Sequence, residues 1–250
     1  MPDALFETRQ LSKRFGGLVA TDGVSLAIRP GELHAIIGPN GAGKTTLIAQ
    51  FAGELRPDSG SIFFGGEDIT ALSTADRAAR CLTRSFQSTS IFPEFSVLDN
   101  VALAVQSHAG HSFRFWRAAR KEPALRRPAD ALLEELGLAA RRDVLAGYLS
   151  HGEKRTLEIA MALATRPRLL LLDEPLAGMG PEDSQRMVQI LSALKGKLGI
   201  LLIEHDMNAV FALADRLTVL VYGRAIATGD PEAIRRNDAV RHAYLGDEAE

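Results

Sequence analysis

The chain has 250 residues, 46% hydrophobic and 24% charged, the proportions of a globular protein large enough to bury a sizeable core without staples. Its 29 Lys and Arg against 31 Asp and Glu leave a formal charge of −2, which argues against a general nucleic-acid binder. No apolar run approaches the roughly 20 residues of a membrane span, residues 1–7 lack the basic start and apolar centre of a signal peptide, and the single Cys81 makes no internal disulfide. In chain order, the first 30 residues place Phe6, Leu11, Val24, Leu26 and Ile28 in alternating, turn-punctuated segments, which predict an antiparallel edge sheet feeding a first parallel strand. Short apolar runs at 33–37, 169–172, 200–203 and 217–221 predict strands buried on both faces, linked by crossover helices. From about Ser88 to Tyr148 helical patterns dominate, including one over 128–136 stopped by Gly137. The expected fold is a single cytoplasmic α/β domain over 1–250, with core segments 1–87 and 165–250 and a helical subdomain at about 88–164.

Directly after the strand at 33–37 comes Gly38-Pro39-Asn40-Gly41-Ala42-Gly43-Lys44-Thr45, then a helical run from Thr46 to Phe51. This matches the P-loop pattern in the context that pattern requires. Its glycines let backbone N–H groups turn inward around phosphate oxygens, and the helix N-terminus adds a favourable dipole. Lys44 is expected to reach the β- and γ-phosphates and Thr45 to ligate Mg²⁺. A lone Gly-rich turn with a solvated lysine is the bland alternative.

The run from Arg168 to Pro175 ends a leucine strand in two acids, Asp173 and Glu174, and ligands bind at that end of an open α/β sheet. Asp173 is placed to hold Mg²⁺ through water, as a Walker B aspartate does, and Glu174 to act as general base toward water. Two strand-end acids capping a turn are the alternative. Gln87 and His205 follow comparable runs; the first could sense Mg²⁺ and water, the second could bind a γ-phosphate oxygen, or either could be a plain surface side chain.

The phosphate loop, Gln87, Leu149-Ser150-His151-Gly152-Glu153-Lys154-Arg155, Asp173-Glu174 and His205, in that order and spacing, resemble the ATPase subunit of ABC transporters over about residues 5–245. The segment Leu149 to Arg155 is similar to that family's signature motif, ahead of an amphipathic helix over 153–164. Resemblance narrows further over Arg14 to Ser25, at Glu204-His205-Asp206-Met207, in the insert between Ser107 and Pro128, and at the ending Ala243-Tyr244-Leu245-Gly246. These look like the branched-chain (hydrophobic) amino-acid uptake ATPases; lipopolysaccharide-export ATPases share the Tyr-Leu-Gly ending.

What the resemblance implies is a P-loop NTPase core with a mostly parallel sheet, an N-terminal antiparallel β subdomain and an inserted helical subdomain. It implies a head-to-tail dimer sandwiching two ATP molecules with Mg²⁺, in which Ser150 and the Gly152 backbone contact the γ-phosphate held by the partner's phosphate loop. Ser150 before a helix also reads as a plain N-cap. Phe15 matches the position whose aromatic stacks on adenine, or is an ordinary core aromatic. Two departures stand out. His151 and Glu153 replace the usual Gly and Gln of the signature, and Gly180 stands where the family often has Asp or Asn.

Implied partners are two membrane permeases, a second ATPase chain (the same or a related one) and, indirectly, an external substrate-binding protein, with the chain peripheral on the cytoplasmic face of the cell membrane. The stretch Ser90 to Ser96 is expected to form part of the permease groove, or else a helical-subdomain core segment. The stretch 111–121, four basic side chains interleaved with three aromatics, could meet anionic headgroups or a permease, or be a solvated face. An export ATPase, and a soluble ATP-gated clamp, are the competing readings. The absence of a second cassette and of long heptads in this sequence speaks against the clamp.

Overall fold

Side chains alternate across a strand, so a strand covered on both faces is apolar at every position, whereas one with a wet face is not. Both kinds occur in this chain. A computed structural model describes residues 4–85, 91–108 and 122–240. Gln87, Ser90, the stretch 111–121 and the ending 243–246 lie outside them. In chain order, the long hairpin β1 (Phe6–Phe15) and β2 (Leu18–Ile28) precedes β3 (Leu33–Ile37), α1 (Lys44–Ala52), the hairpin β4 (Ser59–Phe64) and β5 (Glu67–Asp68), α2 (Thr74–Ala79) and β6 (Leu82–Arg84). Then come α3 (Val97–His108), α4 (Pro123–Glu135), α5 (His151–Ala164), β7 (Leu169–Asp173), α6 (Pro181–Leu194), β8 (Gly199–Ile203) and α7 (Met207–Leu213). The chain continues through β9 (Arg216–Val221), β10 (Arg224–Gly229), α8 (Pro231–Arg235) and the short α9 (Asp238–Val240).

Every residue of β3, β7 and β8 is buried. They lie inside a sheet of order β10-β9-β3-β8-β7-β6, parallel except for the edge strand β10. The alternation divides two cores. Leu170 and Leu172 of β7, with Ile200 and Leu202 of β8, face helices α3 to α7. Leu169, Leu171, Leu201 and Ile203 face α1, on whose far side lies a second, antiparallel sheet β2-β1-β4-β5. Phe6 of β1 packs edge-on against Phe51 of α1, ring centroids 5.0 Å apart.

One expectation holds and one changes. The N-terminal strands form the expected antiparallel sheet, β1 pairing with β2 and β4, as a separate layer over α1. The helix expected at 128–136 begins at Pro123, with Pro128 in its interior. Pro123 at the first position loses nothing, and Pro128 forfeits one backbone bond. Leu125, Ala129 and Leu133, spaced four apart on one face, are all buried and hold the helix to the core. No described helix is long and apolar enough to cross a membrane. Because β3, β7 and β8 are parallel neighbours, the turns that follow them open on one edge, which brings Gly38, Glu174 and Glu204 together there.

Candidate nucleotide site

Between β3 and α1 the chain has six residues in which to reverse. Gly43, the cap of α1, lies at φ +99, and a Cβ there would collide with the Ala20 carbonyl, so only glycine fits. The loop is tied internally by Ala42 N–H donating to Pro39 O at 3.1 Å, and from outside by Gly223 N–H donating to Ala42 O at 2.9 Å. The buried Lys44 ammonium donates to Gly38 O at 2.6 Å and Pro39 O at 3.0 Å. Burial pushes its pKa down, against the pull of Glu174 and Asp173. A desolvated cation resting on neutral carbonyls gains by exchanging them for charged phosphate oxygens.

A cavity of 380 Å³ lies between the β1–β2 turn and the phosphate loop and is lined by Phe15, by Asn40 through Thr46, and by Glu174. Phe15 is 49% exposed and is therefore no core aromatic; its ring faces the cavity rather than either apolar cluster. Such a large apolar ring at a cavity mouth suits a flat heteroaromatic partner.

Asp173, 3% exposed, accepts from Arg84 Nη2 at 2.9 Å, while Arg84 Nη1 also binds Glu54. Burial pushes the Asp173 pKa up, Arg84 opposes it, and the neighbouring Glu174 charge adds to it. Glu174 itself sits at φ +49, a conformation that costs a non-glycine residue about 1 kcal/mol or more and is typical of active sites. Its N–H is pinned to Ile203 O at 2.8 Å. The His205 ring is mostly exposed. Among the described residues no group of three or more His, Cys, Asp or Glu could cage a metal. The Thr45 hydroxyl with the Asp173 carboxylate is the sparse, hard-oxygen donor set that suits Mg²⁺ held mainly by substrate phosphates and water.

Ser150 is the N-cap of α5 in a complete capping box. Its Oγ accepts from Glu153 N–H at 3.2 Å, and Glu153 Oε2 accepts from Ser150 N–H at 2.9 Å. Glu serves here as Gln would, and Arg141 Nε holds the same carboxylate at 2.7 Å. A Cβ on Gly152 would collide with the Asp183 carboxyl in the first turn of α6. His151 Nε2 meets Ala177 O at 3.1 Å, which links the signature to the turn after β7. Gly180 caps α6 without a side-chain bond, and Pro181, Glu182 and Asp183 begin the helix.

The fold thus gathers Phe15, Gly38 to Thr46, Asp173 and Glu174, with His205 on the neighbouring strand end. Ser150 and Gly152 do not line the cavity. Sequence spacing does not single out Arg84 or Asp183. Arg84 closes the short strand β6, three residues before Gln87 in sequence.

Residues 21–177 match the ABC transporter family, and residues 226–250 match the family described as branched-chain amino acid ATP-binding cassette transporter. The high-affinity branched-chain amino acid transport ATP-binding protein BraF of Pseudomonas aeruginosa is 37% identical over 99% of this chain and 100% of its own. LivG of Escherichia coli, with the same description, is 36% identical over the same shares. The lipopolysaccharide export system ATP-binding protein LptB of Haemophilus influenzae is 34% identical over 98% of each chain. Among solved structures, the ADP conformation of an ATP-binding cassette of an ABC transporter superposes with a TM-score of 0.85 at 32% identity, over 97% of this chain and 99% of that one.

Proposed function

The chain belongs to the ABC transporter family of ATPases, and we propose that it is the motor subunit of an uptake system for branched-chain or other hydrophobic amino acids, or related amides. Full-length identity of 36–37% to BraF and LivG, joined by the separate match at 226–250, is the observation that carries this reading. The neighbour solved with ADP supports nucleotide at the phosphate-loop cavity.

In this mechanism Lys44 leaves Gly38 O and Pro39 O for the β- and γ-phosphates, and Phe15 stacks on the adenine. Thr45, Asp173 and Gln87 would hold Mg²⁺. A bound Mg²⁺ would supply positive charge against the negative charge that develops on the transferring phosphoryl group. Glu174 takes a proton from the attacking water while His205 holds a γ-phosphate oxygen. Ser150 and the Gly152 backbone serve the nucleotide of a second chain, which is why their capped helix end lies outside the chain's own cavity. ATP thereby closes a head-to-tail dimer, and hydrolysis reopens it.

A second cavity of 290 Å³ between β6, α3 and α5 supports a docking role for a permease helix. Phe92, Leu103, Met161 and Ala162 line it, and Arg84 and Glu158 are among its polar residues. Phe92 stacks on Phe95 at 5.4 Å and both are exposed, so part of the stretch 90–96 lines this groove. Two permeases bound here would hold the ATPase dimer at the cytoplasmic face, fed by an external binding protein.

Replacing Glu174 by Gln should lower turnover by about 100-fold or more while ATP still binds and traps a dimer in size-exclusion chromatography. Parental turnover would remove Glu174 from the role of base. The LptB match favours export as the second reading. Subunits co-purified from native membranes in mild detergent decide between them: two polytopic permeases and a soluble binder for uptake, lipid-bridge proteins for export.

A further inference from the structure

β8 is apolar from Gly199 to Ile203, and then the chain places Glu204 at the strand end with its side chain fully buried. A carboxylate taken out of water is costly unless its lone pairs are filled. Among the described residues no Lys or Arg forms an ion pair with Glu204; backbone N–H groups fill it instead. Oε1 accepts from Leu176 N–H at 2.8 Å, and Oε2 accepts from His205 N–H at 3.0 Å and Asp206 N–H at 3.4 Å. The ring Nδ1 of His205 stands 3.7 Å from the same Oε2.

These donors come from two different turns. One follows β7 and carries Glu174; the other follows β8 and carries His205. The strands pair in register to Asp173 opposite Ile203, and Glu174 N–H donates to Ile203 O, but beyond that point the ladder stops. Glu204 is the link that continues it. One buried side chain reaches back across to Leu176 and forward to the residue bearing the imidazole.

We infer that Glu204 is a positioning residue for ATP hydrolysis, fixing the His205 ring, Nδ1 toward its own carboxylate and Nε2 outward, in register with the turn that bears Glu174. The inference rests on the reading of Glu174 and His205 as hydrolytic groups. The 3.7 Å separation closes to a hydrogen bond once the site is loaded, as catalytic contacts commonly do. His151, bound to Ala177 O at 3.1 Å, steadies the far side of the same turn.

The test is Glu204→Gln in the full chain. The amide is the same size, but its NH₂ must face at least one backbone N–H, so donor meets donor and a link is lost. Turnover should fall by about 10-fold or more, with ATP affinity and KM within about two-fold, since Glu204 touches neither phosphate loop nor cavity. In a His205→Ala background the same change should cost less than about three-fold further, because it acts through the ring. A purely structural glutamate would instead lower the folded yield, with kcat per nucleotide-binding site unchanged.

Parental turnover in Glu204→Gln overturns the inference, as does full additivity with His205→Ala, or loss of ATP affinity in step with kcat. Should Glu204→Gln not fold, ¹⁵N-histidine spectra of the parent chain with Mg-ATP carry the test. Protons on both ring nitrogens of His205 are expected, Nδ1–H toward Glu204 and Nε2–H toward the γ-phosphate, and an Nδ1 without a proton overturns it. Parental turnover in both His205→Ala and Glu174→Gln would overturn the underlying site reading, whereas their collapse beside an unaffected Glu204→Gln would overturn this inference alone.

Discussion

Helix α1 has a buried cation at each end, and the two are held in opposite ways. At its C-terminus Arg77 reaches over from α2, 1% exposed. Its guanidinium donates to the carbonyls of Leu72, Gln50, Phe51, Ile69 and Thr70 at 2.7–3.2 Å. All five donors are used, and two of the acceptors lie in the last turn of α1, where the helix dipole favours a positive charge. At the N-terminus Lys44 sits where the dipole opposes it, on two carbonyls of its own loop. Burial pushes Arg77 down to about 10, against the pull of Asp68, so it still carries its charge at neutral pH. A cation with every donor filled by backbone is part of the scaffold. One lodged at a helix N-terminus with a donor to spare is waiting for an anion.

That contrast predicts crossed outcomes. Arg77→Met should destabilise the fold by about 3–5 kcal/mol, because it abandons five buried carbonyls at once. Urea unfolding measures this, and ATP affinity per folded molecule should hold within about two-fold. Lys44→Ala should do the reverse. It should lower ATP affinity by about 10- to 100-fold, or about 1.4–2.8 kcal/mol, while the unfolding midpoint moves little. If Lys44→Ala bound ATP as the parent does, the phosphate-loop assignment would fail; if Arg77→Met weakened ATP binding without loss of stability, Arg77 would belong to the site.

The same contrast explains what the sequence makes legible. The phosphate loop, the strand ends at Asp173 and Glu174, and the fully buried strands show in the sequence because each depends on a local pattern: glycines in a short reversal, acids closing an apolar run, and short runs apolar at every position. Arg77 does not show. Its neighbours Asp76 and Arg80 make α2 look like an ordinary charged helix, and its acceptors are backbone atoms at 50, 51, 69, 70 and 72. Arg84 meets Asp173 across 89 residues of sequence, and Asp183 packs onto Gly152 between two helices; no local pattern encodes either. The start of α4 is hidden for a related reason. Pro128 reads as a helix start in sequence, but the buried face of Leu125, Ala129 and Leu133 outweighs the one backbone bond it removes.

A third buried charge sharpens the comparison, with a smaller effect. In β3 the fully buried His34 bonds Glu32 Oε1 through Nδ1 at 3.0 Å and Thr218 Oγ1 through Nε2 at 2.8 Å, and Thr218 meets Thr228 at 2.9 Å. Arg29 N–H donates to Glu32 Oε2 at 3.1 Å. Burial pushes the Glu32 pKa up, but the bonds from His34 and Arg29 and the charge of Arg216 outweigh it, so it lies below its ordinary 4.5. A carboxyl depressed in the folded state adds stability that is fully present above the unfolded value and is lost as pH falls through the folded one. Glu32→Gln should therefore cost about 1–2 kcal/mol at pH 7. The gap from the parent should hold down to about pH 5 and narrow as pH drops below 4.5, where the parent's own carboxyl takes up a proton. Urea melts at pH 7, 5 and 4 measure it. A gap that stays constant through pH 4 would mean that shape, not charge, holds this network, and would put Glu32 with the packed residues of β3 rather than with the filled scaffold charge that Arg77 represents.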